Sequence, residues 1–399
     1  MAVLRFEDLA FSLVGGAVKV TFLKIFTFDL EKESLGRISP FSVASNSITF
    51  RGVSEKHAQN KLNQLLHAGF QNLRNKINSK PAVYIHQHSG IPLIGHIAFG
   101  IVDRDTSIIE VRPITSCNIE CIYCSVDEDK RPVDFVVEKD YLVKELGKLA
   151  ALKNCELEVN IGTQGEPFLY APIVELIMDI AKIPNVKTIS INTNGTFLTE
   201  RLVDELAKAG LTRINLSVNA MDAETAKKIA GTKSYDINRI KRIIPYIQEK
   251  MDIIIAPVWI PGINDAEIPK IIEFCKLLDR QPRLMIQNFL NYRFGRNPVK
   301  AVSWGAFEEK LRQWEDKHEI KLRYDMHGEF GIKKSNLVKD PFRRGEIVKA
   351  DIICPGRLVG ESIGVARERA ISVKGRLPKG PTKLKVTKMK DHLVYAEPI

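Results

Sequence analysis

Long apolar runs are absent from this 399-residue chain, and cysteine is scarce. No stretch approaches the roughly eighteen consecutive apolar residues of a membrane span, so we expect no membrane association. The N-terminus carries Arg5, Glu7 and Asp8 ahead of a short apolar patch, which is not the order of a signal peptide. We therefore expect a cytoplasmic protein whose six cysteines stay in a reducing compartment, where disulfides are disfavoured.

Acidic residues are fewer than basic ones. The chain has 59 Lys and Arg against 48 Asp and Glu, a formal net charge of +11. An excess of this size favours polyanionic partners, nucleic acid above all. Many basic proteins bind no nucleic acid, so charge alone leaves the partner open.

From about residue 107 the sequence alternates short β-like runs with amphipathic helical runs. Six β-like runs are each followed by a helical one; they are SIIEVRPIT, ELEVNIGT, TISINTN, RINLSVNA, DIIIAPVWI and RLMIQNFLNY. This order predicts a parallel α/β sheet with right-handed crossovers, either open or partly closed into a barrel. Active sites of such sheets lie beyond the carboxyl ends of the strands.

The two flanking regions have different patterns. Residues 1–106 contain β-like stretches, a long polar helix candidate from Ser54 to Lys80 and a strand pair in LIGHIAFGIVDRDTSIIEV. They predict an N-terminal α+β extension. Residues 343–399 are short β runs broken by Gly and Pro, which is typical of a small β-barrel. We therefore predict three domains, at 1–106, 107–325 and 343–399, and expect the barrel to be a separate module.

Three of the six cysteines lie in the octapeptide CNIECIYC, directly after the first strand of the predicted sheet. Structural zinc usually takes four ligands in two separated pairs, whereas this C-x3-C-x2-C motif has no partner pair. Three thiolates on one tight loop fit three corners of a [4Fe-4S] cube and leave the fourth iron open for a substrate or cofactor. We therefore predict that Cys117, Cys121 and Cys124 are cluster ligands rather than unconnected core thiols.

The motif, with Tyr123 before its last cysteine, resembles that of the radical S-adenosylmethionine (SAM) superfamily. The resemblance runs from about Ile108 to about Tyr292. It implies a partial (βα)6 TIM-like barrel that holds a [4Fe-4S] cluster, with SAM chelated at the open iron. The implied chemistry is one-electron cleavage of SAM to a 5′-deoxyadenosyl radical, which removes a hydrogen atom from the substrate. It also implies a protein that donates the electron.

Further strand ends match the places where that family binds SAM. TQGEP, after the second strand, is similar to the family's Gly-Gly-Glu-Pro motif, with Gln164 in place of the first Gly. The resemblance implies that this segment holds the SAM amino group. The third and fourth strands end in uncharged groups that suit ribose hydroxyls and a carboxylate, or that could cap the next helix. The predicted cofactor-binding residues are Tyr123, Gly165, Glu166, Asn194, Ser217 and Asn219.

No catalytic side chain is assigned, because the cofactor carries the chemistry and no Ser/His/Asp constellation stands out. Backbone groups of Trp259–Gly262 are candidates for adenine contacts. Cys155 and Cys275 are expected to be core thiols. Cys354 is expected to be a buried thiol of the first barrel strand rather than a methyl carrier.

The C-terminal stretch from Gly360 resembles the TRAM domain, a small RNA-binding barrel. It holds a surplus of cations: Asp351 to Ile399 contains ten Lys or Arg and five Asp or Glu. The combined layout resembles an uncharacterised archaeal group of radical SAM proteins with a TRAM-like tail. The sequence thus predicts a radical SAM enzyme that modifies RNA, with tRNA favoured by family analogy. Two alternatives stay open: an enzyme acting on a protein side chain or small metabolite, and a non-enzymatic metal-stabilised RNA-binding protein.

Overall fold

The N-terminal part forms two small antiparallel sheets and a long helix. The computed structural model describes residues 1–162, 164–325, 327–335 and 338–399. The elements of this part are β1 Ala2–Arg5, β2 Leu9–Val14, β3 Ala17–Phe22, β4 Phe26–Glu31, α1 Lys32–Gly36, β5 Phe41–Ala44, β6 Ser47–Phe50, α2 Glu55–Phe70, β7 Arg74–Asn75 and β8 Ala82–Ile85. The sheet orders are β1-β6-β5 and β2-β3-β4-β7.

The predicted helix from Ser54 to Lys80 is wrong at its C-terminal end. Ser54 caps α2 by accepting a hydrogen bond from the backbone of His57. The helix ends at Phe70, and the chain then turns so that β7 pairs with β4. The last ten residues of the predicted helix, 71–80, are therefore not helical, and they contain the short strand β7.

The central part contains an open seven-stranded sheet. The strands of this part are β9 Gly100–Asp103, β10 Ile108–Arg112, β11 Asp134–Val137, β12 Leu157–Ile161, β13 Val186–Thr193, β14 Arg213–Leu216, β15 Asp252–Ile255, β16 Val258–Trp259, β17 Arg283–Leu284 and β18 Gln287–Asn288. The sheet order is β17-β15-β14-β13-β12-β10-β9. All neighbours are parallel except β9, which pairs antiparallel with β10. The predicted parallel α/β sheet and the predicted strand pair at its edge are confirmed.

Seven helices accompany this sheet. They are α3 Lys139–Leu152, α4 Ile173–Ala181, α5 Glu200–Ala209, α6 Ala223–Ala230, α7 Ile237–Lys250, α8 Glu267–Lys276 and α9 Trp304–His318. Sequence reasoning missed α6, because two helices occupy the single connection between β14 and β15. Its boundary signals are present, however: Asp222 caps its start and left-handed Gly231 ends it. No helix in the described ranges is both long and apolar enough to cross a membrane.

The C-terminal part is a closed five-stranded barrel with the order β19-β20-β21-β23-β22. Its strands are β19 Ile347–Pro355, β20 Glu361–Ala366, β21 Arg369–Lys374, β22 Gly380–Lys390 and β23 Leu393–Pro398. The predicted small barrel is confirmed, and residues 364–375 form parts of two strands, β20 and β21. Between them, Arg367 and Glu368 turn the chain with positive φ angles of 47° and 57°.

The barrel has a buried cluster of its own, and a second set of its side chains packs into the core of the preceding parts. Cys354, Ile363 and Ala370 of the barrel belong to the large buried cluster that extends through the N-terminal and central parts. The backbone of Ala370 also donates a hydrogen bond to the carbonyl of Ile94, at 2.9 Å. Removal of the barrel would therefore expose core surface of the rest of the protein.

Candidate active site

The cysteine loop lies beyond the carboxyl end of β10 and lines a cavity of about 230 Å³ with the ends of β12, β13 and β14. Eight of the nine predicted site residues line this cavity: Cys117, Cys121, Tyr123, Cys124, Gly165, Glu166, Asn194 and Ser217. The ninth, Asn219, lines a small adjoining cavity behind Tyr123. Strands that are distant in sequence thus bring the predicted residues together, as expected of parallel strands ending at one edge.

The three thiols have the surroundings that cluster ligands need. Burial raises the pKa of all three, that of Cys121 to about 12, so a neighbouring positive charge such as iron is needed to hold them as thiolates. Backbone N–H groups of Ile119 and Val126 donate to Cys117 and Cys124. Hydrogen bonds to sulfur are among the contacts that tune iron–sulfur clusters. The donor set therefore fits such a cluster.

A cluster of two carboxylates and an imidazole lies outside the cysteine loop. In the described part of the chain, one group of three His, Cys, Asp or Glu residues has its ligand atoms all within 4.8 Å of one another, namely Asp103, Asp105 and His392. The ammonium of Lys153 lies 2.7 Å from the Asp103 carboxylate, so a cationic side chain already pairs with this group.

Glu166 joins the end of β12 to the end of β13. Its carboxylate accepts hydrogen bonds from the Thr193 hydroxyl at 2.8 Å and from the Asn194 backbone at 2.9 Å. Burial raises the pKa of Glu166 to about 7, although these donors favour the charged form. The backbone of Glu166 donates to the carbonyl of Ser116 at 2.8 Å, which ties this segment to the cysteine loop.

Gly165 is required by the close approach of the cysteine loop. A Cβ atom built on Gly165 would lie 2.0 Å from the carbonyl oxygen of Ser116. Any larger residue would push apart the two segments that line the cavity. Thr163, the first residue of the TQGEP run, lies outside the described residues.

Asn194 is engaged with the cysteine loop itself. Its amide donates to Asn118, between the first two cysteines, at 3.0 Å, and its oxygen accepts from Thr196. Asn118 in turn donates to the Thr196 hydroxyl at 2.8 Å. The geometry thus gives Asn194 a loop-holding contact, and its predicted contact with SAM stays a prediction.

Tyr123 and Asn219 form a chain of hydrogen bonds to a cysteine. The Asn219 amide donates to the Tyr123 hydroxyl at 2.8 Å, and that hydroxyl hydrogen-bonds to Cys121 and lowers the thiol pKa against the effect of burial. The Asn219 oxygen accepts from the backbone of Val258, just past β15. Ser217 lines both neighbouring cavities.

Sequence reasoning missed two groups that clamp the cysteine loop. Arg296, after β18, donates to the carbonyl of Glu120 at 2.6 Å and to the Asp127 carboxylate at 3.2 Å. The second group is the end of α6, where the carbonyl of Ala230 accepts a hydrogen bond from the backbone of Glu120 at 2.9 Å. A Cβ atom built on Gly231 would lie 2.0 Å from the carbonyl oxygen of Glu120. Arg296 in the motif FGRNP and the Gly after α6 can both be read from the sequence. Nothing in the local sequence around either residue predicts a contact with the distant cysteine loop.

A buried arginine of the barrel lies beneath both loops of the site. Arg357 is 1% exposed, and its guanidinium donates to the Gln164 side chain at 2.6 Å and to the Thr115 carbonyl at 2.9 Å. It also pairs with Asp134, which is fully buried, at 3.3 Å. Thr115 and Gln164 immediately precede the Ser116–Cys117 and Gly165–Glu166 pairs. The Gln in place of the family's first Gly is therefore the partner of an arginine from the C-terminal barrel.

Comparison with known proteins identifies the family of this chain. Residues 111–275 match the family model of the Radical SAM superfamily. The "Uncharacterized protein MJ0103" of Methanocaldococcus jannaschii is 36% identical over 374 residues, covering 84% of this chain and 85% of that protein. The chain belongs to the radical SAM superfamily and is an enzyme of that class; the cofactors of the family are a [4Fe-4S] cluster and SAM.

Two further similarities are more limited. A GTP 3′,8-cyclase of Listeria monocytogenes is 30% identical over 175 residues, which are 42% of this chain and 50% of the cyclase. The chain thus spans about half the length of such cyclases. The crystal structure of Streptococcus suis SuiB shares 16% identity with a TM-score of 0.43, over 80% of this chain and 71% of that one.

Glu166→Ala is expected to weaken SAM binding about tenfold or more, because the buried donors of Thr193 and Asn194 lose their acceptor and the strand ends lose their connection. Equilibrium dialysis of SAM against the reconstituted holoprotein measures the change. Glu175→Ala, an exposed change on α4, should bind SAM as the unaltered chain does. Equal affinity in the two variants would contradict the assigned role.

Proposed function

We propose that this enzyme modifies RNA, with the central sheet acting as the family's partial (βα)6 barrel and the C-terminal barrel acting as a TRAM-like RNA-binding module. The observation that carries the proposal is an unpaired strip of cations on the barrel. We call it the β22 strip; it consists of Lys383, Lys385, Lys388 and Lys390.

The β22 strip has the properties of a phosphate-binding surface. Its four side chains are exposed along one strand, and none of them has an ion pair among the described residues. Lys349 of β19 lies directly opposite Lys383 in the ladder, so two like charges face each other. Adjacent like charges destabilise a sheet, and a polyanion bound across them would relieve the repulsion. A solvated strand face is the competing explanation.

The chain's own residues would prepare the reaction by holding and enclosing the cofactors. Cys117, Cys121 and Cys124 would ligate three irons, and the segment from Gly165 to Glu166 would face the SAM amino group. When bound, the reduced cluster and SAM supply a 5′-deoxyadenosyl radical that removes a hydrogen atom. The hydroxyl of Ser217 would bind a ribose or carboxylate oxygen of SAM. A donor protein would supply the electron.

A free nucleotide is the second candidate substrate. The similarity to GTP 3′,8-cyclases at 30–33% identity favours it over a protein side chain. It concerns about two fifths of this chain and half of each cyclase. The unpaired cations of the barrel favour RNA, because a strand-long strip can contact several phosphates at once.

The β22 strip should make RNA binding strongly salt-dependent. Changing its four lysines to Ala is expected to weaken single-stranded RNA binding more than tenfold at low salt. The slope of log affinity against log salt should become shallower by roughly 0.7 for each phosphate that the variant no longer neutralises. A filter-binding series across salt concentrations measures both quantities.

A matched control removes four exposed lysines elsewhere: Lys144, Lys187, Lys208 and Lys317. This variant has the same net charge and should bind RNA within about twofold of the unaltered chain, since exposed charges away from the strip are screened. Equal salt slopes in the two variants would indicate that the strip is a solvated face. Basal SAM cleavage should be unchanged in both.

A further inference from the structure

A second cavity, larger than that of the cysteine site, lies outside it. Its volume is about 990 Å³, at the upper end of the roughly 300–1,000 Å³ of small-molecule pockets. It is bounded on one side by α2 and β8 and on the other by the barrel, whose contribution includes Cys354 and the turn from Arg376 to Lys379. Most of its walls therefore come from outside the segment that matches the family model.

One wall of this cavity carries a row of rings. Phe70 and Tyr84 stack with centroids 5.6 Å apart and planes at 29°, and Tyr84 and His86 follow at 5.3 Å and 30°. His88 meets His86 edge-on, with centroids 6.4 Å apart and planes at 63°. Burial lowers the pKa of His86, so its ring is uncharged at neutral pH. Flat, uncharged rings that are partly exposed are suited to stacking against a nucleobase.

The opposite wall carries cations without partners. Arg376 and Lys379 lie on the turn between β21 and β22, and neither has a hydrogen bond or ion pair among the described residues. The two carboxylates of the lining do have partners: Glu138 accepts from the Gln87 backbone at 2.9 Å, and Glu361 accepts from the Leu358 backbone at 3.0 Å. The lining thus holds two carboxylates with hydrogen-bond donors of their own and two cations that no described carboxylate pairs, and these cations are the groups that an anion would contact.

The cavity adjoins both the β22 strip and the cysteine loop. Lys379, which lines the cavity, immediately precedes β22, and the strip begins four residues further along the chain at Lys383. On the other side, Glu128 lines the cluster cavity while Pro132 and Val133 line this one. The two cavities are thus separated by the segment 128–133.

We propose that this cavity binds a nucleotide, with its base against the ring row and its phosphate at Arg376 and Lys379. The proposal rests on the proposed function, since it names where the substrate is anchored. The nucleotide comes either from RNA that follows the β22 strip or from a free nucleoside phosphate. Both sources share the same recognised chemistry, and binding experiments distinguish them.

The test is equilibrium binding of two probes, a labelled short single-stranded RNA and GTP, to the full-length holoprotein. The double change Arg376→Ala and Lys379→Ala should weaken binding about tenfold, or ~1.4 kcal/mol, because the phosphate then has no cationic partner in the cavity. His86→Ala should also weaken it about tenfold, whereas His86→Phe should retain it, because stacking needs a ring and no hydrogen bond. Lys208→Ala with Lys317→Ala is the control of equal charge and should change binding less than twofold.

The outcomes separate the cavity from the proposed function. If the cavity variants weaken the binding of RNA alone, the cavity proposal is supported and the nucleotide comes from RNA. If they weaken the binding of GTP, the proposal is supported and the nucleotide is a free nucleoside phosphate. RNA binding that depends on the β22 strip but not on His86, Arg376 or Lys379 would overturn the cavity proposal and leave the RNA substrate intact. Binding of neither probe by the unaltered chain would overturn the cavity proposal. The proposed function is then judged separately, from the nucleosides of cellular RNA.

Discussion

Replacement of Cys117, Cys121 or Cys124 by Ala is expected to abolish the cluster and all cleavage of SAM. Each thiol supplies one corner of the cube, and the three sulfurs share one small cavity. Anaerobic reconstitution of the unaltered chain with iron and sulfide should give about four irons per chain and a visible chromophore, while each variant should give neither. Iron and sulfide analysis with an absorption spectrum measures this directly.

Cys155→Ala is the matched control for the cysteine series. Cys155 is a partly buried thiol two residues before β12, outside the cluster cavity, so its loss should leave the iron content unchanged. Binding of one zinc ion without a chromophore would contradict the cluster. So would full iron content in any of the three single variants.

Arg357→Met is expected to destabilise the chain by about 3–5 kcal/mol, because it leaves the buried Asp134 carboxylate without its cationic partner. The change also removes the hydrogen bonds that the guanidinium donates to Gln164 and Thr115. We therefore expect the folded holoprotein of the Arg357→Met variant to bind SAM more weakly than the unaltered chain. Urea unfolding of the cluster-free chain measures the first effect, and SAM dialysis measures the second.

Two variants separate the charge of Arg357 from its geometry. Arg357→Lys keeps the positive charge but lacks the planar fork, so it should recover stability more than SAM affinity. Arg367→Met removes a barrel arginine whose ion pair with Glu346 is half-exposed, and it should cost no more than about 1 kcal/mol. Similar unfolding curves for Arg357→Met and Arg367→Met would contradict the role we assign to Arg357.

The parallel sheet was predictable because its signals are local. Each buried strand appears as a short apolar run, and the C-x3-C-x2-C motif directly follows the first of them. Parallel strands end at one edge, so residues as distant as Cys117 and Ser217 could be expected in one place. The structure brings them to the same cavity.

The missed features depend on contacts between distant segments. Arg357 was one basic residue among many in the barrel, and its burial beneath Thr115 and Gln164 follows only from how the barrel docks. Arg296 was hidden for the same reason. The barrel was expected to be separable because its β pattern is self-contained, but closure of the barrel leaves one outer face that is apolar enough to join the main core.

RNA modification is the activity that we propose for this radical SAM enzyme. Mass spectrometry of RNA nucleosides tests it most directly, comparing cells that lack the chain with cells that carry either the unaltered chain or its Cys117→Ala variant. We predict that one modified nucleoside is present with the unaltered chain and missing from the other two. Identical nucleoside profiles in all three, from cells whose purified holoprotein forms 5′-deoxyadenosine, would contradict the claim.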